Sequence, residues 1–242
     1  MIPLVAPVES NGPYRHSRVT PLNSYSANAP GAADFTSAAG VPTDLPDTRR
    51  AIRRRLRARR AELSAAERAA AADSIATHIA GTRWLRGGRA LGLYVSIGTE
   101  VPTTALRQLA ARLHCPVYLP CIVDYRRHRM VFGRDDGSLS AVNRLGIPEP
   151  KALRIIPVRA LSVVLLPVLG FDRHGTRLGT GGGYYDRMFS YRRHRHSWHR
   201  PLLVGIAFQC QQLPLIERGG HDIPLDAVVT EVGVSIFNGA AR

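Results

Sequence analysis

The sequence predicts a three-layer, Rossmann-like α/β fold in which helices flank a central, mostly parallel sheet. Short apolar runs alternate with segments of helical periodicity, which is the order typical of that fold class. The run from Leu161 to Leu166 is apolar at five of its six positions, as expected for a strand buried on both faces of a parallel sheet. A chain of 242 residues, 45% of them hydrophobic, is long enough to bury such a core.

The amino-terminal part of the chain differs from the rest in composition. Residues 1–46 are rich in Pro, Ser, Ala, Gly and Asn and have no helical or strand periodicity, which predicts a disordered arm ahead of an α/β domain over residues 47–242. The opening residues lack a charged region and contain prolines, so no secretory signal is expected. Together with an odd number of cysteines (three), the absence of any apolar run of membrane-spanning length favours a cytoplasmic protein.

Two helices are expected at the start of the domain. Residues 49–60 carry eight arginines, with Ile52 and Leu56 as a narrow apolar seam. Ser64 and Glu67 have the spacing of a capping box and predict a second helix that continues to Gly81. A third helix is predicted by the apolar spacing of Leu106, Leu109 and Leu113. Strands are predicted at residues 91–97, 115–119, 130–132, 161–166, 202–208 and 227–230.

The formal net charge of +15 is the unusual value in the composition. It indicates an anionic partner, which could be a nucleic acid, a nucleotide or a polyacidic small molecule. A bland explanation stays open, because Lys151 is the only lysine and an arginine-rich composition is what a GC-rich genome produces.

The segment with the strongest chemical signal follows the apolar run and contains glycine at positions 179, 181, 182 and 183. Such a loop lets consecutive N–H groups approach an anion, and a helix N-terminus behind it favours phosphate. The segment matches neither the Walker pattern nor the G-x-G-x-x-G dinucleotide fingerprint. A flexible turn is the alternative, although the flanking Arg177 and Tyr184 disfavour it.

Residues 167–187 resemble the signature of the 5-formyltetrahydrofolate cyclo-ligases, P-x-x-x-F-D-x-x-G-x-R-L-G-x-G-x-G-Y-Y-D-R, at every defined position. Weaker similarities occur in the same order elsewhere. They lie at Arg49–Arg53, at Tyr94–Ser96 followed by Glu100, at Asn143–Pro150 and at His221–Asp226, so that the resemblance covers about residues 49–232.

The resemblance implies a ligase that uses ATP to close 5-formyltetrahydrofolate to 5,10-methenyltetrahydrofolate, with release of ADP and phosphate. Phosphorylation of the formyl oxygen would give an imidate phosphate that N10 attacks. Such chemistry asks the protein mainly for positioning and charge neutralisation. The resemblance further implies that the enzyme needs Mg²⁺ and that its folate substrate can carry a polyglutamate tail. We expect the protein to be a monomer.

The family's site residues transfer to matching positions. Arg49 and Arg53, four residues apart on one helical face, would bind the triphosphate, although the family usually has Lys at the first place. Arg177 and Gly181 would be catalytic. The remaining ATP contacts would come from Gly175, Thr176, Arg177, Leu178, Gly179, Thr180, Gly181, Gly182, Gly183 and Tyr184.

The resemblance implies that Val95 and Glu100 contact the folate. It also implies folate contacts, in or next to the nucleotide site, from Gly179, Gly181, Gly183, Tyr184 and Tyr185. Asp186 and Asp222 would hold Mg²⁺, because this ion takes one or two carboxylates plus phosphates. Each aspartate could instead cap a helix or form an ion pair.

Two other function classes compete. A nucleic-acid-binding protein would use the arginine helix and a second basic run at residues 192–196, which is otherwise a surface loop or an attractor for a polyglutamate tail. A sugar-phosphate isomerase or a CoA-transferase-like enzyme would fit the α/β body alone. Neither class requires the Gly-rich segment followed by Tyr-Tyr-Asp.

Overall fold

The computed structural model describes residues 48–151, 154–194 and 200–237, which all belong to a unit spanning Asp44–Arg242. The predicted arm, residues 1–46, lies outside the described residues. Within them the helices are α1 (Arg49–Glu62), α2 (Ala65–Ala80), α3 (Thr104–Arg112) and α4 (Tyr184–Met188). The strands are β1 (Leu91–Gly92), β2 (Val117–Asp124), β3 (Arg129–Arg134), β4 (Leu139–Val142), β5 (Pro148–Pro150), β6 (Ile155–Ile156), β7 (Val163–Pro167), β8 (Gly170–Phe171), β9 (Arg177–Leu178), β10 (Leu202–Ile206), β11 (Ala227–Thr230) and β12 (Gly233–Ile236).

The central sheet has eight strands in the order β12-β11-β10-β7-β1-β2-β3-β6. The inner pairings from β11 to β2 are parallel, whereas β12, β3 and β6 join antiparallel at the two edges. The predicted class, a mostly parallel sheet with flanking helices, is confirmed. The edge strands β6 and β12 were not expected, because their two- and four-residue lengths carry too little periodicity to be recognised.

Several predicted boundaries are wrong by a few residues. The strand predicted over residues 91–97 ends at Gly92, and the Leu93 N–H makes the last backbone hydrogen bond from this segment to β2, to Tyr118 O. The strand predicted over residues 115–119 instead runs from Val117 to Asp124, where it pairs along its length with β3. Helix α2 begins as predicted: Ser64 accepts from the Glu67 N–H, and the Glu67 carboxylate accepts from the Ser64 N–H.

The inner strands are buried on both faces. In β7 the side chains of Val163 and Leu165 enter one apolar cluster, to which α2 and α3 contribute. Val164 and Leu166 enter a second cluster on the opposite face, which includes residues of α4 and Phe189 directly after it. This alternation explains why the strand sequence is apolar without a period of two.

Helix α1 packs on a third, smaller cluster formed with the β8–β9 hairpin. Leu56 is fully buried there against Leu169 and Leu178. A Cβ at Gly170 would lie 2.6 Å from Leu56 Cδ1, so the helix and the hairpin can be this close because residue 170 is glycine. The apolar seam of α1 therefore brings the arginines beside it to the segment that follows the hairpin.

The strand order also locates a crevice. Along the chain β1 is followed by β2 on one side of it in the sheet, whereas β7 lies on its other side. In open parallel sheets, ligands bind outside the carboxyl ends of the strands at such a reversal. The segment after β1 contains Val95 and Glu100, and the segment after β7 contains the β8–β9 hairpin and the glycines.

Candidate active site

The glycine loop, residues 179–183, connects the β8–β9 hairpin to α4. Gly181 has φ +114° and Gly183 has φ +66°, both in the region that side-chain-bearing residues rarely adopt. In the described part of the chain, the N–H groups of the five loop residues donate no hydrogen bond. Backbone donors that are free and close together form a site for an anion.

Two carbonyl groups of the same loop accept hydrogen bonds from arginines of α1. Arg53 donates from Nε to Gly179 O at 2.9 Å, and Arg57 donates from Nη2 to Thr180 O at 3.4 Å. A Cβ built on Gly181 would lie 3.9 Å from Arg53 Cζ. The guanidinium of Arg53 therefore lies against the loop whose N–H groups are unbonded, and the phosphate site stays a prediction.

Arg49 does not reach the loop through a hydrogen bond. Its Nη2 lies 2.5 Å from Asp222 Oδ2 and donates to Glu217 O at 2.6 Å. The hydrogen bond to Asp222 raises the pKa of the Arg49 guanidinium. Although burial alone would raise it, the pKa of Asp222 lies below its ordinary value because Arg49 and the Gly219 N–H donate to the carboxylate.

The second predicted metal ligand is also paired with an arginine. Arg177 Nη2 lies 2.6 Å from Asp186 Oδ1, and the Ile223 N–H donates to the same oxygen at 3.1 Å. Arg177 itself is buried and donates from Nη1 to Ile223 O. The two terminal nitrogens of this predicted catalytic cation are therefore already bonded within the protein.

These two ion pairs determine which carboxylate oxygens remain for a metal ion. The described residues contain no group of three or more carboxylate, imidazole or thiol side chains able to ligate a metal. One oxygen of each aspartate, Oδ2 of Asp186 and Oδ1 of Asp222, accepts no hydrogen bond from the described part of the chain. Two such oxygens fit Mg²⁺ that is held mainly by phosphates, and they do not form a site for a bare ion.

Three of the predicted ATP contacts lie in the packed part of the hairpin. Gly175, with φ +79°, contacts Phe237 and Leu225, so that a Cβ there would lie 2.8 Å from the Phe237 ring. The Thr176 N–H donates to the buried carboxylate of Asp172, and Leu178 is buried. The Gly175 backbone, the Thr176 N–H and the Leu178 side chain therefore stabilise the turn and the hairpin that present the glycine loop.

Glu100, predicted to contact the folate, lies in the loop that follows β1 and is 7% exposed. Its Oε2 accepts from the Ile97 N–H at 3.1 Å. Burial raises the pKa of this carboxyl, and the Ile97 N–H and the nearby Arg60 oppose the shift. Val95, which is also predicted to contact the folate, packs against the apolar cluster to which α2 and α3 contribute.

Arg60 lies beside the candidate site, and no sequence signal distinguished it from the other arginines of α1. It is 8% exposed and donates from Nε to Thr99 Oγ1 at 2.9 Å, and burial lowers the pKa of its guanidinium. Its spacing places it on one helical face with Arg53 and Leu56, at intervals of three and four. The arginines of α1 thus extend from Asp222, past the glycine loop, to Glu100.

The two tyrosines at the start of α4 have different surroundings. Tyr185 is partly buried and stacks on Phe189 with 6.4 Å between ring centroids, and burial raises the pKa of its hydroxyl. Tyr184 instead lines a cavity of about 360 Å³ between α4, β3 and β6. The ring of His128, which no sequence signal singled out, lies 5.2 Å from that of Tyr184.

The second basic run is only partly described, because residues 195–199 lie outside the described residues. Arg192 pairs with Asp226 at 2.7 Å, and both side chains are 11% exposed. Arg193 contacts Gly220 O and His221 Nδ1. Arg192 is therefore largely buried by its ion pair with Asp226, and the expectation of a surface loop at residues 192–196 stays a prediction. None of the helices in the described ranges is long and apolar enough to cross a membrane.

Comparison with known proteins assigns the chain to a family. Residues 46–231 match the sequence model of the 5-formyltetrahydrofolate cyclo-ligase family. The 5-formyltetrahydrofolate cyclo-ligase of Haemophilus influenzae is 33% identical over 183 residues, which cover 73% of this chain and 94% of that protein. The Escherichia coli K12 protein of the same name is 34% identical over 143 residues, 58% of this chain and 76% of that one.

Solved structures agree with that result. The NMR structure of Aquifex aeolicus 5,10-methenyltetrahydrofolate synthetase superposes with a TM-score of 0.67 at 26% identity, covering 78% of this chain and 93% of that one. The Mycoplasma pneumoniae synthetase, at 18% identity and a TM-score of 0.60, shares the fold. The signature loop, its arginine-bearing helix and these similarities over most of the chain lead to one conclusion: the chain belongs to the 5-formyltetrahydrofolate cyclo-ligase family of enzymes.

Proposed function

We propose that the protein uses ATP to convert 5-formyltetrahydrofolate into 5,10-methenyltetrahydrofolate, with ADP and phosphate as the other products. The observation that carries the proposal is the glycine loop, whose free N–H groups lie beside Arg53 at the carboxyl edge of the sheet. The family relationship supports a folate as substrate, and the loop supports binding of the phosphates of a nucleotide.

The triphosphate would lie between α1 and the loop. Arg53 is the cation bonded to the loop, and because Gly181 has no side chain, only backbone faces that guanidinium. Arg49 lies one helical turn earlier, where it could exchange part of its bonding with Asp222 for a phosphate oxygen. The phosphate that is transferred would lie at the end toward Arg60 and Glu100.

Mg²⁺ would arrive with the nucleotide and be held by phosphate oxygens and by the free oxygens of Asp186 and Asp222. When bound, it would neutralise charge on the phosphates. The pairing of Asp222 with Arg49 and of Asp186 with Arg177 leaves this group of four side chains without net charge. A free divalent cation is therefore weakly attracted, whereas the metal–nucleotide complex can bring its own ligands.

The reacting end of the folate would lie over the loop that follows β1. Val95 would contact the ring system, and the buried Glu100 would hydrogen-bond it at the edge nearest the formyl group. Tyr185 adds an aromatic wall. An enclosed position beside Arg60 excludes water, which would otherwise hydrolyse an activated formyl group.

In the reaction, the formyl oxygen attacks the terminal phosphorus of ATP and the bond to the β-phosphate oxygen breaks, which releases ADP. The resulting imidate phosphate carries the carbon that N10 attacks. Phosphate leaves with the former formyl oxygen, N10 loses its proton, and the methenyl bridge is complete. Arg177 acts by orienting Asp186 and α4, and the loop N–H groups stabilise charge on the transferred phosphoryl group.

The experiment is a turnover assay with the purified full-length protein, Mg²⁺, ATP and 5-formyltetrahydrofolate. Formation of the conjugated product is followed by its near-ultraviolet absorbance, and ADP and phosphate are measured in the same samples. We expect one ADP for each methenyl group and no product without ATP. Absence of product from folded protein that has been freed of nucleic acid would reject the proposal.

We further propose that the protein works as a monomer in the cytoplasm and accepts polyglutamylated folate. Size-exclusion chromatography with light scattering at assay concentrations tests the first point, and a dimer would contradict it. Comparison of KM for mono- and pentaglutamate substrates tests the last.

A further inference from the structure

The turn at residues 97–100, which presents Glu100, is bonded to α1 through Arg60. Within the turn, the Ile97 N–H donates to Glu100 Oε2 and the Glu100 N–H donates to Ile97 O, both at 3.1 Å. From α1, Arg60 Nε donates to Thr99 Oγ1 at 2.9 Å. The guanidinium therefore connects the first helix to the residue directly before the carboxylate that is expected to contact the substrate.

Arg60 and Glu100 carry opposite charges that are buried near each other. Arg60 is 8% exposed and Glu100 is 7% exposed, and these two described residues share no hydrogen bond or ion pair. Burial lowers the pKa of the guanidinium, and Glu100 is the main group that opposes this shift. Burial raises the pKa of the carboxyl, and the Ile97 N–H and Arg60 oppose that shift. Each charge thus stabilises the other, because charges in the interior interact over longer distances than in water.

The other titratable groups that face Glu100 are two tyrosines. Tyr94, in the segment after β1, is buried and donates from its hydroxyl to Val101 O at 3.0 Å. Tyr185 belongs to α4. Burial raises the pKa of both hydroxyls, so both stay neutral in the acid to neutral range. Among the charged groups of the described residues, Arg60 is therefore the one that acts on the charge of Glu100.

We propose that Arg60 is a positioning residue for Glu100. Its bond to Thr99 fixes the turn at residues 97–100, and its charge keeps the neighbouring carboxyl ionised and able to accept a hydrogen bond from the substrate. Arg60 acts through Glu100 and contacts neither the folate nor the nucleotide. The inference rests on the proposed function in that it takes Glu100 as a substrate contact.

The first test follows the titration of Glu100 in the free, folded protein by carboxyl ¹³C NMR, with Glu100→Gln to assign the signal. Arg60→Gln removes the charge, Arg60→Lys keeps it, and Arg59→Gln neutralises an exposed arginine of the same helix. We expect Arg60→Gln to raise the pKa of Glu100, because burial is then opposed by the Ile97 N–H alone. The other two variants should titrate like the wild type. An unchanged pKa in Arg60→Gln, or an equal rise in Arg59→Gln, would overturn the proposal.

Thr99→Val separates the hydrogen bond from the charge, because it removes the hydroxyl that accepts from Arg60 and keeps the shape of the side chain. Thr99 is only partly buried, so this variant also serves if Arg60→Gln does not fold. Calorimetry measures dissociation constants for 5-formyltetrahydrofolate and ATP. We expect both variants to bind the folate about tenfold more weakly and ATP as before. Wild-type folate affinity in Thr99→Val, or a loss of ATP affinity in Arg60→Gln, would contradict the assigned role.

The pH profile of turnover distinguishes positioning from a purely structural role. Protonation of Glu100 should limit kcat/KM for the folate on the acid side, so Arg60→Gln should move the acid limb to higher pH. An arginine that only stabilised the fold would lower activity at every pH and leave the limb in place, which would overturn the proposal. If the wild type shows no turnover, the proposed function fails, whereas the NMR titration still decides this inference.

Discussion

Arg177 and Asp186 lie nine residues apart in the chain and form an ion pair, with Arg177 Nη2 2.6 Å from Asp186 Oδ1. Arg177 Nη1 donates to Ile223 O, and the Ile223 N–H returns a bond to the same aspartate oxygen. This closed set of bonds joins the β8–β9 hairpin, α4 and the segment before β11. The carboxylate expected to hold a metal therefore also joins three parts of the fold.

We expect Asp186→Asn to reduce both stability and turnover. The amide oxygen can still accept the bonds from Arg177 and Ile223, but without the charge they weaken, and the variant loses about 1.5–3 kcal/mol in its free energy of unfolding. Urea unfolding followed by circular dichroism measures the loss of stability, and the turnover assay measures the loss of activity. Loss of turnover with unchanged unfolding would show that the ion pair contributes nothing to stability.

Arg53→Ala should weaken ATP binding without unfolding the protein. Arg53 is the guanidinium bonded to the glycine loop, and loss of a charge-assisted contact to phosphate of about 1.5–3 kcal/mol raises KM for ATP about ten- to a hundredfold. The matched control is Arg54→Ala, which removes an exposed arginine of the same helix. Similar KM values in the two variants would contradict the assigned role of Arg53.

Gly181→Ala should be destabilising and inactive. At φ +114° an alanine is strained by about 1–3 kcal/mol, and its methyl group would face Arg53 where the phosphates are expected. Gly179→Ala is the comparison, because a Cβ there meets nothing within 4 Å and the backbone is unstrained. Thermal unfolding of the two variants should therefore differ, with only Gly181→Ala lowering the midpoint.

We expect the contribution of Glu100 to the free energy of unfolding to depend on pH. Burial raises the pKa of this carboxyl above its ordinary value of 4.5, so the folded state binds the proton more tightly than the unfolded state. Stability from this group is present below pH 4.5 and is lost as pH rises through the folded pKa. Glu100→Gln keeps an acceptor for the Ile97 N–H and should be relatively more stable as pH rises.

The measurement is the difference in unfolding free energy between wild type and Glu100→Gln from pH 4 to pH 8. We expect the difference to grow in favour of Gln above pH 4.5 and then to level off. A constant difference across that range would mean that the carboxyl has the same pKa in both states. Turnover by the variant should fall at every pH, since the group is proposed to contact substrate.

A chelator should abolish turnover and leave the thermal unfolding midpoint unchanged. The carboxylates of Asp186 and Asp222 are already neutralised by arginines, so the folded protein needs no metal to hold them together. Differential scanning calorimetry with and without EDTA checks the midpoint. A fall of several degrees on chelation would indicate a structural metal site, which the described residues do not contain.

Local signals in the sequence predicted α1, α2 and the inner strands. The capping box of Ser64 and Glu67 involves neighbouring residues, and strand β11 has the predicted bounds because it is short and three of its four residues are apolar. The strand starting at Leu91 was predicted too long, because the apolar residues that follow it pack in a loop. Periodicity does not distinguish a buried strand from a buried loop.

The site could be predicted as a set of residues but not as an arrangement. Nothing local shows that Asp222 pairs with Arg49, 173 residues away. Gly175 and Leu178 carry the family signature just as Gly181 does, yet their neighbours are Phe237 and the apolar cluster under α1. His128 becomes visible only when β3, β6 and α4 meet around the cavity, because its own sequence context has no motif.

The hydrogen bond between Arg53 and Gly179 joins positions 126 residues apart, so a bound nucleotide would act as a cross-link between the first helix and the hairpin. Binding to the folded state alone stabilises it by RT ln(1 + [L]/Kd). Because α1 packs on a small cluster of its own, its amides should exchange with solvent by local opening in the free enzyme. Saturating nucleotide should then slow exchange in α1 far more than in β7 or β10.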